Sequence, residues 1–249
     1  EASAAVRPQA EIEDGLLQSY EEPTNTFFCS EEHNVILFQG KEPNIKWQAY
    51  GDALFEIASG FGVHRMCFVG SVAGLIPHTR PPMFYSTATS PALRTVVENL
   101  GMNPTNYSGP SSFGSYLIHR AKAASIEMAT IVAGVPAYVD GRNATCIEAA
   151  VNQAAAFLEF EVETNDLKIE SAEFISGLNK IVAAKPEFRE HVKRLEEAYE
   201  SPDGSSDEKD NLDEIRDWFE RQDMGPNAEA VSGGSAPVTD FSIGVFGRD

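Results

Sequence analysis

Apolar positions in this sequence come in two spacings that alternate along the chain. Val35-Ile36-Leu37-Phe38 is a short continuous run that stops at Gly40, and it predicts a strand buried on both faces. Trp47, Tyr50, Leu54, Ile57, Ala58 and Phe61 follow at helical spacing, stopped by Gly60 and Gly62. Met66-Cys67-Phe68-Val69 predicts a second buried strand, ending toward Gly70 and Gly74. Ser90-Pro91 is a capping serine followed by proline at the first helical position, and Leu93, Val96, Val97 and Leu100 supply that helix's apolar face. Phe113, Leu117, Ile118 and Ala121 make another helix, and Ala129-Thr130-Ile131-Val132 a third strand. Asn143 caps a long helix with the stripe Ile147, Ala150, Val151, Ala154, Phe157 and Leu158. Strands alternating with helices predict an α/β domain over residues 1–165, built on a largely parallel sheet.

The two ends read differently. Residues 1–32 are polar and turn-rich, with Pro8 and Pro23, and predict extended or irregular structure. Residues 166–224 predict a helical region: Phe174 to Val182, then Phe188 to Tyr199 after Pro186, then Leu212, Ile215 and Phe219 beyond a charged linker. Residues 225–249 read as a flexible tail, although Phe241 to Phe246 alternates and predicts an optional edge strand.

Charge sharpens this division. The chain has 249 residues and a net charge of −19. Residues 33–165 account for only −2 of that, whereas residues 1–32 carry −7 and residues 166–224 carry −8. The acidity disfavours nucleic acid and anionic membrane surfaces, both of which need a basic footprint. No run approaches the roughly 18 apolar residues of a membrane span, and the first residues do not resemble a signal peptide. Cys29, Cys67 and Cys146 form neither a disulfide framework nor a zinc motif, so a cytoplasmic location is expected and no cofactor or metal is implied.

In α/β sheets ligands bind beyond the carboxyl ends of the strands, which directs attention to loops 70–90, 106–114 and 134–142. The most distinctive is Ile76-Pro77-His78-Thr79-Arg80-Pro81-Pro82. Its prolines fix the backbone around three polar side chains. His78 can move protons near neutral pH, and Arg80 can grip a carboxylate or phosphate. The competing reading makes His78, Thr79 and Arg80 hold neighbouring loops or a subunit contact. In Gly109-Pro110-Ser111-Ser112-Phe113-Gly114-Ser115 the glycines have phosphate-loop spacing, but Ser115 stands where that loop needs lysine. What is left around Gly109, Ser111 and Ser112 is a serine-rich helix start, read either as an anion site or as ordinary caps. Tyr138 offers a ring for stacking and Asp140 an acceptor, against a plain Val-Pro turn. Met83-Phe84-Tyr85 is a candidate subunit contact. No nucleophile–base arrangement is present, so no catalytic residue is assigned; the Glu196-Glu197 run reads as exposed helix.

Five elements in order then resemble a known family: Gly40-x-Glu42-Pro43 before Trp47, Gly62-Val63, Pro77-His78-Thr79-Arg80-Pro81, Tyr107-x-Gly109-Pro110-x-x-x-Gly114 and Val135-Pro136-x-Tyr138. The stretch from about Arg7 to Glu220 is similar to the proteasome assembly chaperone 2 family, in its prokaryotic branch. The resemblance implies a three-layer α/β/α sandwich like that of nucleoside phosphorylases and related hydrolases, followed by a C-terminal helical region. It also implies self-association or pairing with paralogues, and a non-enzymatic assembly-chaperone or scaffold role as a homo-oligomer. The alternative is a small-molecule binder or enzyme with a phosphorylase-like pocket for a nucleoside or phosphate ligand. Two departures stand out. The family's first strand and helix, with a Gly-Phe-x-Asp-Ala-Gly-like turn, are not found, and Phe241–Phe246 is a candidate to cover the resulting gap. The hydrophobic–Tyr–any-residue ending of archaeal proteasome-binding members is replaced by Phe246-Gly247-Arg248-Asp249, which counts against proteasome docking by that route.

Overall fold

The computed structural model describes residues 9–22, 24–139, 141–200 and 242–248. In chain order these hold strands β1 (Gln9–Glu13), β2 (Leu16–Glu21), β3 (Thr26–Ser30) and β4 (Val35–Gln39), helix α1 (Trp47–Gly60), strands β5 (Val63–Gly74) and β6 (Phe84–Ser86), and helix α2 (Pro91–Asn99). They continue with β7 (Asn103–Pro104), α3 (Phe113–Ala123), β8 (Glu127–Pro136), α4 (Ala144–Phe157), α5 (Asn165–Ala184), α6 (Pro186–Glu200) and β9 (Ser242–Arg248).

Local chemistry sets the helix starts. The Ser90 side chain accepts from the Leu93 amide, with Pro91 at the first helical position, and Asn143 accepts from the Cys146 amide at 3.0 Å. Each satisfies one of the amides a helix start leaves unpaired.

Seven strands form one sheet in the order β3-β4-β9-β5-β8-β6-β7. β5 and β8 run parallel over ten residue pairs, from Arg65↔Glu127 to Gly74↔Pro136, as their buried character predicts. The sheet is mixed, however, and not largely parallel. β3–β4, β4–β9, β5–β9 and β6–β8 are antiparallel, and only β6–β7 adds a second parallel pair. The cause is local for two of these: β3 and β4 form a tight hairpin, and β6 doubles back from the proline loop onto β8. The others come from β9. The alternating C-terminal run is a strand, but an interior one. It lies between β4 and β5, with Phe246 in register with Ile36 on one side and Met66 on the other. It thus occupies a gap in the sheet, not an edge.

The sheet's two faces are covered separately. Ile36, Phe38, Met66 and Met128 pack with Tyr50, Leu54, Phe113 and Leu117 of α1 and α3. Cys67, Ala129, Ile131 and Ala133 pack with Leu93 and Val97 of α2 and Ala150, Ala154 and Phe157 of α4. Successive strand residues therefore serve opposite layers, which makes an α/β/α sandwich. A third apolar cluster seats the last two helices: Tyr138 with Val182, Phe188, Val192 and Leu195, flanked by Leu75 and Val139.

Within the acidic N-terminal strip, residues 9–22 are regular in structure. β1 and β2 form a separate hairpin, with Asp14 and Gly15 at positive φ in its turn. Both central residues of this tight turn need that conformation, which suits Asp-Gly. Register places Ala10, Ile12, Leu17 and Tyr20 on one face, and Ile12 is 67% exposed. The Leu212–Phe219 helix expected from sequence lies outside the described residues.

Candidate functional site

The loop after β5 and the turn after β8 meet at His78 and Tyr138. His78 is only 5% exposed. Its backbone N–H donates to the Tyr138 hydroxyl at 2.7 Å, and its Nδ1 lies 2.7 Å from the same oxygen. The hydroxyl has one proton, and it already accepts from the amide. Nε2 faces an acceptor, Asn179 Oδ1 of α5, at 3.2 Å; this places the ring proton on Nε2 and lets the Tyr138 O–H donate to Nδ1. Both ring nitrogens of a neutral imidazole are thereby used. Burial pushes the His78 pKa below its ordinary 6.5, while the Asn179 contact and the Glu196 carboxylate oppose this. Burial also pushes the Tyr138 hydroxyl up, so it stays protonated. The rings meet edge to face at 5.7 Å, and Tyr138 meets Phe188 of α6 in the same way at 5.3 Å.

The next residues hold α6. Thr79 Oγ1 donates to Glu196, and Arg80 Nη1 reaches the same carboxylate at 3.1 Å. Arg80 Nε and Nη2 donate to Glu200 at 3.0 and 2.5 Å, and the Tyr199 hydroxyl donates to the Pro81 carbonyl at 3.1 Å. Glu196, Tyr199 and Glu200 share one helix face, so a single rigid loop engages a full turn of α6. Three of the five Arg80 N–H donors thus go to two carboxylates of its own chain.

Beneath the loop lies a cavity of about 10 Å³, lined among others by Ile76, Pro82, Gly134, Asn143 and Cys146. That is room for about one water, not for a nucleoside. Gly134 keeps it narrow: a Cβ there would lie 2.2 Å from Ile76 Cδ1. The Cys146 thiol donates to the Gly134 carbonyl at 3.6 Å, and burial pushes its pKa up to about 11. A thiol protonated at neutral pH is a poor nucleophile.

Gly109, Ser111 and Ser112 lie elsewhere, at the start of α3 on the α1 face of the sheet. Ser112 Oγ accepts from the Ser115 amide at 3.2 Å, an ordinary cap. Burial raises the pKa of the nearby Glu42 carboxyl, with the Phe113 amide opposing this. Phe84 of the Met83-Phe84-Tyr85 candidate contact is buried in β6 against the sheet. Asp140 lies outside the described residues. Among the described residues, no cluster of three or more His, Cys, Asp or Glu could hold a metal ion. No described helix is long and apolar enough to cross a membrane.

Across residues 2–182 the sequence matches the family model of the PAC2 family. The chain belongs to the PAC2 family. Among solved structures, its fold is similar to that of Rv2714, a Mycobacterium tuberculosis protein of unknown function, at 19% identity and a TM-score of 0.65, covering 89% of this chain and 71% of that one. It is also similar to the M. tuberculosis proteasome-assembly chaperone homologue Rv2125, at 25% identity and a TM-score of 0.63, with 75% and 80% covered. A PAC2 family protein from Streptomyces avermitilis aligns at 20% identity and a TM-score of 0.56, with 75% and 79% covered. No curated protein matches the sequence.

In this PAC2 chain the structure brings His78, Thr79, Arg80 and Tyr138 together and leaves Gly109, Ser111 and Ser112 apart. Sequence reading missed their partners: Asn179, Glu196, Tyr199 and Glu200. The available signal was the spacing of Glu196, Tyr199 and Glu200, a polar edge beside the apolar stripe of α6. Glu196 is half-buried against the loop and is not the plain solvated acid expected of that run.

Two expected results follow. Tyr138→Phe leaves the His78 amide and Nδ1 without their shared partner, at a cost of about 1–3 kcal/mol per orphaned group. Urea denaturation should show a loss of unfolding free energy of that order, and an unchanged stability would remove the hydroxyl from the loop's support. The second concerns pH. The folded His78 pKa lies below the 6.5 of an ordinary histidine, so the unfolded chain takes up its proton first as pH falls. Its contribution is complete above pH 6.5 and declines below it, until the folded ring is itself protonated. His191, lowered mainly by burial, acts in the same direction. The thermal midpoint should fall between pH 6.5 and about pH 5, and less steeply in His78→Gln.

Proposed function

We propose that this PAC2 chain is a non-enzymatic protein-binding molecule, chaperone-like or scaffold-like, that works as a homo-oligomer. The observation that carries this reading is the closed strand end. Where an α/β enzyme opens a pocket, His78, Arg80 and Tyr138 are bound to α5 and α6, over a cavity sized for one water. At this strand end the side chains that can recognise a nucleoside or phosphate, His78, Arg80 and Tyr138, are already paired within the chain. A protein that recognises surfaces needs no such pocket. The likeness to a proteasome-assembly chaperone homologue, at 25% identity, supports the chaperone-like part. Cys29, Cys67 and Cys146 form no disulfide, which suits the cytoplasm.

Two measurements test it. Thermal-shift titrations with nucleosides, nucleotides and inorganic phosphate should leave the melting temperature unchanged. A ligand at about one hundred times its Kd would add about 2.7 kcal/mol and raise it by several degrees, which would restore the pocket reading. Light scattering over a dilution series should report more than one copy per particle at micromolar concentration.

A further inference from the structure

The two edges of the seven-stranded sheet are finished differently. At one end β7 is only Asn103–Pro104. A two-residue strand ending in proline is a blunted edge, since proline has no N–H to offer a further strand. At the other end β3 reads Thr26-Phe27-Phe28-Cys29-Ser30: five residues with no proline, no glycine and no charge. Among the described residues nothing pairs with its outer side. Phe28 is 51% exposed, and its register partner Leu37 on β4 is 36% exposed. This edge therefore has unpaired backbone groups and an uncovered apolar strip, the two features that natural proteins suppress on edges that stay free.

We propose that β3 pairs antiparallel with β3 of a second copy of the chain, about a two-fold axis at Phe28. This rests on the homo-oligomer reading above and names its interface. An uncharged strand with an apolar side chain at its centre is self-complementary about a two-fold axis, and the charges around it limit the register. Residues 9–32 carry seven acids and no base, so most approaches between two copies along this flank bring like charges together. Thr26–Ser30 is an uncharged window in that flank. Centred on Phe28, Phe27 lies opposite Cys29 of the other copy, and Glu31 lies opposite Asn25. A shift of the axis to Phe27 would bring Glu22 and Glu32, which flank β3, toward each other across the pair, an approach of like charges. With the axis at Phe28, the Phe28–Leu37 strips of the two copies join into one apolar band beside the new ladder.

Cys29 makes the pairing measurable, because it is exposed while Cys67 and Cys146 are buried. In this register the two Cys29 residues are diagonal neighbours, roughly 7–8 Å apart. A short dimaleimide spans that distance. The full chain treated with o-phenylenedimaleimide should form a covalent dimer, and Cys29→Ser should not. Phe28→Lys, a change at a half-exposed side chain, should weaken self-association at least tenfold in sedimentation equilibrium with the thermal midpoint of the monomer retained. Hydrogen exchange on the wild-type chain adds a readout free of any substitution: amides of 26–30 should become slower as concentration rises. An oligomer that survives Phe28→Lys, yields no Cys29 cross-link and shows no such protection overturns this interface while the homo-oligomer reading stands. A chain that is monomeric at every concentration overturns both.

Discussion

A chain ending before Ser242 is expected to lose cooperative unfolding altogether. β9 is hydrogen-bonded on both sides, to β4 over Val35–Gln39 and to β5 over Val63–Phe68. Its removal leaves two facing strand edges in the middle of the sheet. Each backbone group stranded away from water costs about 1–3 kcal/mol. A handful of them equals the whole stability of an ordinary domain, about 5–15 kcal/mol. Val245→Pro tests the same strand with one residue, since proline removes a ladder donor and is not tolerated in an interior strand. Circular dichroism and urea titration should show the truncated chain without a sharp transition and Val245→Pro severely destabilised. A truncated chain that unfolds like the full one would mean that β9 is not part of the working sheet.

The next largest expected effect is at Phe188. This ring is 2% exposed in the cluster that seats α5 and α6, and it meets Tyr138 edge to face. Phe188→Ala should cost about 3–5 kcal/mol, the sum of lost burial and the cavity left behind. The effect should be regional. Once α6 lifts, Thr79 and Arg80 lose their carboxylate partners and His78 is exposed to solvent. Limited proteolysis should cut first within residues 165–200, and thermal-shift titrations should be repeated on this variant. If Phe188→Ala changes neither stability nor cleavage pattern, α5 and α6 are not seated through this cluster.

How far the fold could be read from residues depended on how local its causes are. Ser90-Pro91 and Asn143 announced α2 and α4 because a cap is a short-range hydrogen bond. Val35–Phe38 and Ala129–Val132 announced strands because burial on both faces leaves a continuous apolar run. The β1–β2 hairpin was missed although Asp14-Gly15 is a turn signal, because the strip around it is polar and its apolar face is left uncovered. The interior place of β9 was not readable, since alternation in Phe241–Phe246 suggests one covered face and says nothing about which strands flank it. The site shows the same boundary. Proline spacing singled out His78, Thr79 and Arg80, but their carboxylate and amide partners lie more than 100 residues away. Whether such a loop binds a ligand or its own helices is decided by that distant packing.

The place of β9 also sets an order of events. Met66 pairs with Phe246, so the centre of the sheet joins segments 180 residues apart in the chain. On the ribosome every other described element emerges first. α1, β5 and β8 must wait with a vacant lane between β4 and β5, in a state that is compact but unfinished. Contacts of such long sequence separation close slowly, because loop entropy is paid before they form. Folding of this chain is therefore expected to finish only after synthesis reaches β9, with the half-built sheet as the species most prone to associate wrongly.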